Sequence, residues 1–338
     1  MNSLRLIILL TGILCFDSSC REKTEYSKFS GFAQGTTYSM IFENPRRFNV
    51  AAIQDEVEQI LTGFDLSLSL YVDSSVLCRI NRNETDIPDE YFTEVFRRSK
   101  EISALTGGAF DVTVGPLVRA WGFGPDAHKN FRETDRDSLM QLVGIEKVDI
   151  RNGRILKADP RISLDFNAIA KGYSVDVISR FFDRKGIKSY LVEIGGEIRA
   201  RGDRGGVFWK IGIDKPADSN VVPGQDLQAI ISMKDRSLAT SGNYRRFYME
   251  DGVKYSHTID PKTGYPSKNR LLSATILASD CMTADGIATA CMVMGKERAI
   301  EFIERNPEFD AFLIYSDDQG NYRTWISEKL IQYIDQSR

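Results

Sequence analysis

Helix-period and strand-period segments follow one another in this chain without a regular strand–helix–strand alternation, and that order constrains the fold more than any other feature. Apolar residues recur at helical spacing over 50–64, ending at Gly63, and over 89–106, with Gly107-Gly108 as the stop. Further helices are expected over 134–143, opened by a Thr or Asp cap, and over 168–185, 283–294 and 299–305. Strand-like runs fall at 189–194, 197–200, 209–214, 228–233, 271–278, 311–315 and 322–326, with Gly195-Gly196 as a hairpin signal between the first two. Several of these pairs are hairpin-like, which favours an α+β fold over a doubly wound sheet. No internal repeat or low-complexity linker appears, so the chain after about residue 30 reads as one unit, long enough for a substantial core.

The first twenty residues differ from the rest. An almost unbroken apolar run, LRLIILLTGILCF at 4–16, carries only Arg5 at its edge and is too short for a stable membrane span. It reads as the core of a signal peptide, and Ser18-Ser19-Cys20 reads as the end of a lipoprotein signal. On this reading residues 1–20 are the signal, Cys20 carries a lipid, 21–30 are a tether and 31–338 are the folded domain. A plain cleaved signal, or an amphipathic start to the domain, fits the same run. Cys78, Cys281 and Cys291 sit in apolar or mixed surroundings with no CxxC pair and read as buried small hydrophobes, although one pairing among them stays open in an oxidising compartment. A net charge of -3 provides no basic footprint for nucleic acid.

Four segments carry candidate chemistry. In ISLDFNAIAKGY at 162–173, a strand ending at Asp165 is followed by a small-residue turn and a helix starting near Ala168. Backbone groups at such a junction can cradle phosphate, with Lys171 adding positive charge; an ordinary turn beside a solvated lysine would look the same. In TADGIAT at 283–289, Asp285 and Thr289 share one helix face, a carboxylate and a hydroxyl suited to magnesium, or equally a first-turn acid and a packed threonine. TGGAFDVTVGPLVRAWGFG at 106–124 offers glycines, an aspartate and a Gly-Pro step that allow close backbone approach. Its Trp121 and Phe123 read first as core. SHTIDPKTGYP at 256–266 contains His257; the other histidine is His128. There is no HExxH, GxSxG, Walker A or helix-opening GxGxxG, which argues against zinc hydrolase, esterase, P-loop and Rossmann readings. Any metal is then held by oxygen, and magnesium is the natural choice.

Taken in order, eight blocks of this sequence resemble the FAD:protein FMN transferase (ApbE) family. They are GTTYSM at 35–40, SLYVDSSVLCRIN at 69–81, the 106–124 block, SLDFNAIAKGYSVD at 163–176, LVEIGGEIRARG at 191–202, LATSGNYRRFY at 238–248, the 256–266 block and TADGIATACMVMG at 283–295. The resemblance implies an α+β, T-fold-related architecture of mixed sheets flanked by helices, one catalytic unit with FAD in a cleft. It implies FAD contacts at Met40, Ala109, Phe110, Asp111, Asp165, Lys171 and Ile259. It also implies magnesium held by the Ala168 carbonyl, the Asp285 carboxylate and the Thr289 hydroxyl. Some members carry a second aspartate just before that threonine, where this chain has Ala288.

The reaction so implied is attack by a threonine or serine hydroxyl of another protein on the FMN-side phosphorus of FAD, with AMP leaving. His257 is the expected base because its neutral form accepts a proton near pH 7; Asp165 and Asp285 are the runners-up. The expected acceptor carries an Asp-x-x-Thr type motif, as in a redox ion-pump subunit or secreted reductase. The enzyme would sit lipid-anchored on the periplasmic face of a bacterial membrane. Two other functions share the same blocks: an FAD pyrophosphatase, with water as acceptor, and a flavin-binding lipoprotein without turnover.

Overall fold

The computed structural model describes residues 25–123, 132–216, 224–242, 247–250, 253–256 and 258–335. The hairpin β1 (Tyr26–Ala33)–β2 (Thr36–Glu43) leads into α1 (Val50–Leu68), α2 (Val76–Asn81), α3 (Glu90–Leu105), α4 (Gly115–Ala120) and α5 (Arg136–Met140). A small hairpin, β3 (Val148–Arg151)–β4 (Arg154–Lys157), precedes α6 (Ala170–Arg184). Then come β5 (Tyr190–Ile194), β6 (Glu197–Arg201), β7 (Trp209–Asp214), β8 (Leu227–Met233), β9 (Arg236–Gly242), β10 (Phe247–Glu250), β11 (Val253–Ser256) and β12 (Leu271–Ala278). The chain closes with α7 (Cys281–Met294), α8 (Lys296–Arg305), β13 (Asp310–Ser316), β14 (Tyr322–Ile326) and α9 (Glu328–Ile331).

Eight strands form one sheet in the order β1-β2-β5-β6-β9-β12-β13-β14, and every described ladder is antiparallel. The expected α+β arrangement, helices flanking sheets, is what the chain adopts. Period-2 alternation sorts the residues of the central strands onto two faces. Ile198, Leu238 and Leu277 face the β7–β8 hairpin and its Trp209 and Ile211. Ala239, Ala274 and Ile276 face the helical side, where α7 packs through Ile287 and Ala288. Nearer β1, the helical side is filled by α1 and α6, with Val57, Ile178 and Phe182 against Met40, Phe42 and Val192. α7 is buried over twelve of its fourteen residues, which is why it is apolar all round and built of small side chains.

The Gly195-Gly196 hairpin forms as expected, with Ile194 opposite Glu197 and positive φ at both glycines, the geometry a two-residue turn between right-twisted strands requires. Other boundaries differ. α1 runs past Gly63 to Leu68 because Leu61, Phe64 and Leu68 continue the buried stripe, outweighing the cost of about 1 kcal/mol for a mid-helix glycine. The helix expected over 134–143 is a 3-10 turn plus the short α5, whose Asp135 gives no side-chain cap; its carboxylate is held by Arg132 instead. The strand expected to end at Asp165 does not join a sheet. At 162–166 the Asn81 side-chain amide takes the place of a partner strand: Nδ2 donates to the Leu164 carbonyl (2.9 Å) and Oδ1 accepts the Leu164 N–H (2.8 Å). Cys78, Cys281 and Cys291 are buried free thiols, matching their reading as small hydrophobes. Among the described residues no helix is long and apolar enough to cross a membrane.

Removing the Asn81 amide leaves both backbone groups of the fully buried Leu164 unpaired. Asn81→Ala is therefore expected to cost about 2–3 kcal/mol, read as a lower denaturation midpoint in urea.

Candidate functional site

The ligands expected for a metal belong to two segments that meet where α6 crosses α7. The approach is close because Gly172 has no side chain: a Cβ there would lie 2.3 Å from the Cys281 carbonyl oxygen and 2.7 Å from the Asp285 Cβ. Its N–H donates to Asp285 Oδ2 at 3.0 Å. The α6 ladder starts with Tyr173 N–H on the Ile169 carbonyl, so the Ala168 carbonyl lies in the turn just before it. Thr289 is one turn along α7 from Asp285, its hydroxyl 3.2 Å from Ser241 Oγ. The helix start, expected near Ala168, falls at Ala170, which leaves the Ala168 carbonyl outside the helix.

Lys171 and Glu197 complete this corner. Lys171 Nζ pairs with Glu197 Oε1 at 2.5 Å, the carboxylate being almost wholly buried and the lysine a third exposed. Glu197 Oε2 is buried with no partner, as is Gln34 Nε2. Gln34 sits in the β1–β2 turn, and its Oε1 accepts from Ser174 Oγ of α6. Asp285 is pushed up to about 7, first by burial and then by the Glu197 charge, with Lys171 and the Gly172 N–H opposing. Asp176, one turn after Gly172, is also pushed up to about 7 by burial and then by Asp280. Its two oxygens accept the N–H groups of Cys281 (2.9 Å) and Met282 (2.8 Å) at the start of α7.

These acids are a physical test of whether a cation belongs here. Three buried carboxylates with one lysine among them leave negative charge in a low-dielectric corner, and one oxygen is unpaired. A hard divalent cation on Asp285 would offset part of that charge, and carbonyl, carboxylate and hydroxyl oxygens are the donors it prefers. Among the described residues no group of three or more His, Cys, Asp or Glu side chains could hold a metal. Such a site would depend on its single carboxylate, Asp285, together with neutral oxygens. The residues fit magnesium.

The remaining predicted contacts are distributed over several parts of the structure. Asp165 is buried, raised above the usual carboxylate range by desolvation, and accepts the Asn167 N–H at 2.8 Å, shaping the turn into α6. Its own N–H donates to the Val112 carbonyl, tying the 162–173 and 106–124 segments together. Asp111, also raised by burial, has both oxygens engaged: Oδ1 with the Thr113 N–H and hydroxyl, Oδ2 with the Ile145 N–H. Ala109 and Phe110 are buried in the main core, where Phe110 lies beside Gly286 of α7. Met40 is fully buried under α1 and α6, so its side chain faces the core. Ile259 packs with Leu117 and Trp121, and Trp121 Nε1 donates to the Gly264 carbonyl, joining the 106–124 and 258–266 segments. Trp121 is core, as expected. His257, the expected base, and Cys20, the expected anchor, lie outside the described residues.

Glu197, Asp176, Asn81 and Gln34 were not singled out by the sequence. Glu197 opens β6 on the same strand face as Arg199, and Asp176 stands within a wholly buried stretch of α6; a charged residue in a buried run is the signal that could have found both.

Comparison with known proteins identifies the family of the chain. The model of the ApbE family matches residues 34–313. The FAD:protein FMN transferase of Vibrio cholerae is 39% identical, over 93% of this chain and 94% of its own. The solved flavin transferase ApbE from Vibrio cholerae superposes with a TM-score of 0.81 at 36% identity, covering 92% of this chain and 99% of that one. The apo flavinyl transferase ApbE of Pseudomonas stutzeri gives 0.81 at 32% identity, covering 92% and 97%. The chain belongs to the ApbE family.

Two outcomes follow from the geometry. Gly172→Ala forces α6 and α7 apart, and is expected to cost about 1–3 kcal/mol or more, read by thermal unfolding. The second concerns pH. Asp176 titrates near 4 when unfolded and about 7 when folded, so in the metal-free protein it binds a proton only in the folded state between those values. Its contribution is lost as pH rises through about 7. The unfolding midpoint in chelator is expected to fall between pH 5 and pH 7, and Asp176→Asn to make that fall shallower, with Asp285, raised in the same way, keeping the remainder.

Proposed function

We propose that this chain is an FAD:protein FMN transferase, moving FMN from FAD to a hydroxyl of another protein and releasing AMP. The observation that carries this reading is the corner at the N-terminal end of α6, where Lys171, the Ala168 carbonyl, Asp285 and Thr289 belong to adjoining segments in a chain of this family. Magnesium, when bound by the Ala168 carbonyl, Asp285 and Thr289, offsets negative charge on the pyrophosphate. The N-terminal end of α6 favours an anion, and Lys171 adds a full positive charge beside it. Glu197 fixes the lysine ammonium, so its direction is set before substrate arrives.

The chemistry asks little covalent work of the protein. The acceptor oxygen forms a bond to the FMN-side phosphorus as the bond to the AMP phosphate oxygen breaks, and the hydroxyl proton leaves to a base. His257 supports that role because its neutral form accepts a proton near pH 7. A threonine or serine within an Asp-x-x-Thr type motif is the proposed acceptor. The apolar run before Cys20 supports attachment by a lipid to the periplasmic face of a bacterial membrane, and Cys20→Ser is expected to move the protein from the membrane to the soluble fraction with its activity intact.

Incubation with FAD, magnesium and an acceptor carrying that motif tests the reading. Flavin fluorescence that stays with the denatured acceptor, together with AMP, is the expected result. Free FMN and AMP without labelled acceptor would identify a pyrophosphatase, and neither product a flavin-binding protein. Asp285→Ala is expected to abolish the magnesium-dependent turnover; full retention would remove Asp285 from the metal site.

A further inference from the structure

We propose that Asp176 is the positioning residue of the metal-ligand set, holding α7 on α6 so that Asp285 is presented to the turn that carries the Ala168 carbonyl. The inference rests on the magnesium reading above and deepens it, because Asp176 touches none of the proposed ligand atoms.

The two helices cap each other. Asp285, from α7, accepts the Gly172 N–H in the first turn of α6. Asp176, from the second turn of α6, accepts the N–H groups of Cys281 and Met282 in the first turn of α7. Each carboxylate thus satisfies N–H groups that its neighbour's helix leaves unpaired at its start. Asp280, the N-cap residue of α7, accepts the Thr283 N–H at 2.8 Å, so the first three amides of α7 are all held by carboxylates.

Geometry makes this more than a cap. With Gly172 against the Cys281 carbonyl and the Asp285 Cβ, the crossing is at contact distance. A single hydrogen bond at Gly172 fixes one point. The paired bonds to Asp176, one turn along α6, fix a second and set the rotation of α7 about its axis. That rotation decides where Asp285 and Thr289 point, since both lie on one face of α7. The charge is costly: Asp176 is almost wholly buried, with Asp280 close by and Arg199 offering partial compensation. A capping asparagine or serine would satisfy an amide without it. Only a carboxylate accepts two neighbouring N–H groups with two equivalent oxygens in this way.

The test separates binding from folding. Mn2+ uptake, followed by the loss of the free-ion paramagnetic resonance signal at pH 8, is compared for the full chain, Asp176→Asn, Asp176→Glu and Asp285→Ala, each with its unfolding midpoint in chelator. Asp176→Asn is expected to weaken Mn2+ binding about 10- to 100-fold at unchanged stoichiometry, the range for residues that orient metal ligands. Asp176→Glu, which keeps both acceptor oxygens, is expected to recover part of that loss. Asp285→Ala should bind no Mn2+ at this site. A purely structural Asp176 would lower the unfolding midpoint and leave the Mn2+ affinity of the folded protein unchanged, and that result overturns the proposal. If the unsubstituted chain takes up no Mn2+, the magnesium reading falls and the positioning role falls with it.

Discussion

Everything near the site depends on how closely α6 and α7 approach at Gly172. The missing side chain lets the α6 backbone donate directly to Asp285, and that bond places the first turn of one helix against the first turns of the other. The main sheet supports the contact from below. Its central strands β6, β9 and β12 turn one face to α6 and α7 and the other to the β7–β8 hairpin, so the junction rests on a layer buried on both sides. A helix built from Ala, Gly, Thr and Cys can lie that close to a sheet and a second helix at once, where a leucine-rich helix would be held off by its side chains.

The electrostatics follow from the same packing. Burial in this corner raises Asp176 and Asp285 above the usual carboxylate range, and near Asp285 Lys171 and the Gly172 N–H offset only part of it. A fold seldom keeps such a cluster for stability alone, since apolar side chains would fill the space at lower cost. Perturbed carboxylates beside a buried oxygen without a partner mark this corner as the candidate functional site.

Periodicity made most of the regular elements legible. The α6 and α7 segments, the β5–β6 hairpin, and strands β7, β12 and β14 stand within a few residues of where apolar spacing and glycine turns put them. It failed where the physics is not periodic. Residues 162–166 alternate like a strand, yet they pair with the Asn81 side chain, and no local pattern announces a partner so far away in sequence. The β1–β2 turn is Gln34-Gly35, both at positive φ, with Gln at the first position where Asn or Asp would have made the hairpin signal plain. Within the candidate site, Asp285 and Thr289 were visible as an i, i+4 pair. Glu197 and Asp176 were not, because their importance comes from burial and from bonds to another element, which exist only after folding.

The three free cysteines give the fold a time dependence. Once folded, Cys281 and Cys291 lie inside α7 with thiols made harder to ionise by burial, and Cys78 is covered by the neighbouring loop. Thiol–disulfide exchange needs an accessible thiolate, so burial shields these three thiols from it. The unfolded chain has no such shelter. Under oxidising conditions the order of events then matters: α7 must dock before its two thiols meet an oxidant, because a bridge between them would join residues ten apart along a straight helix and forbid that helix.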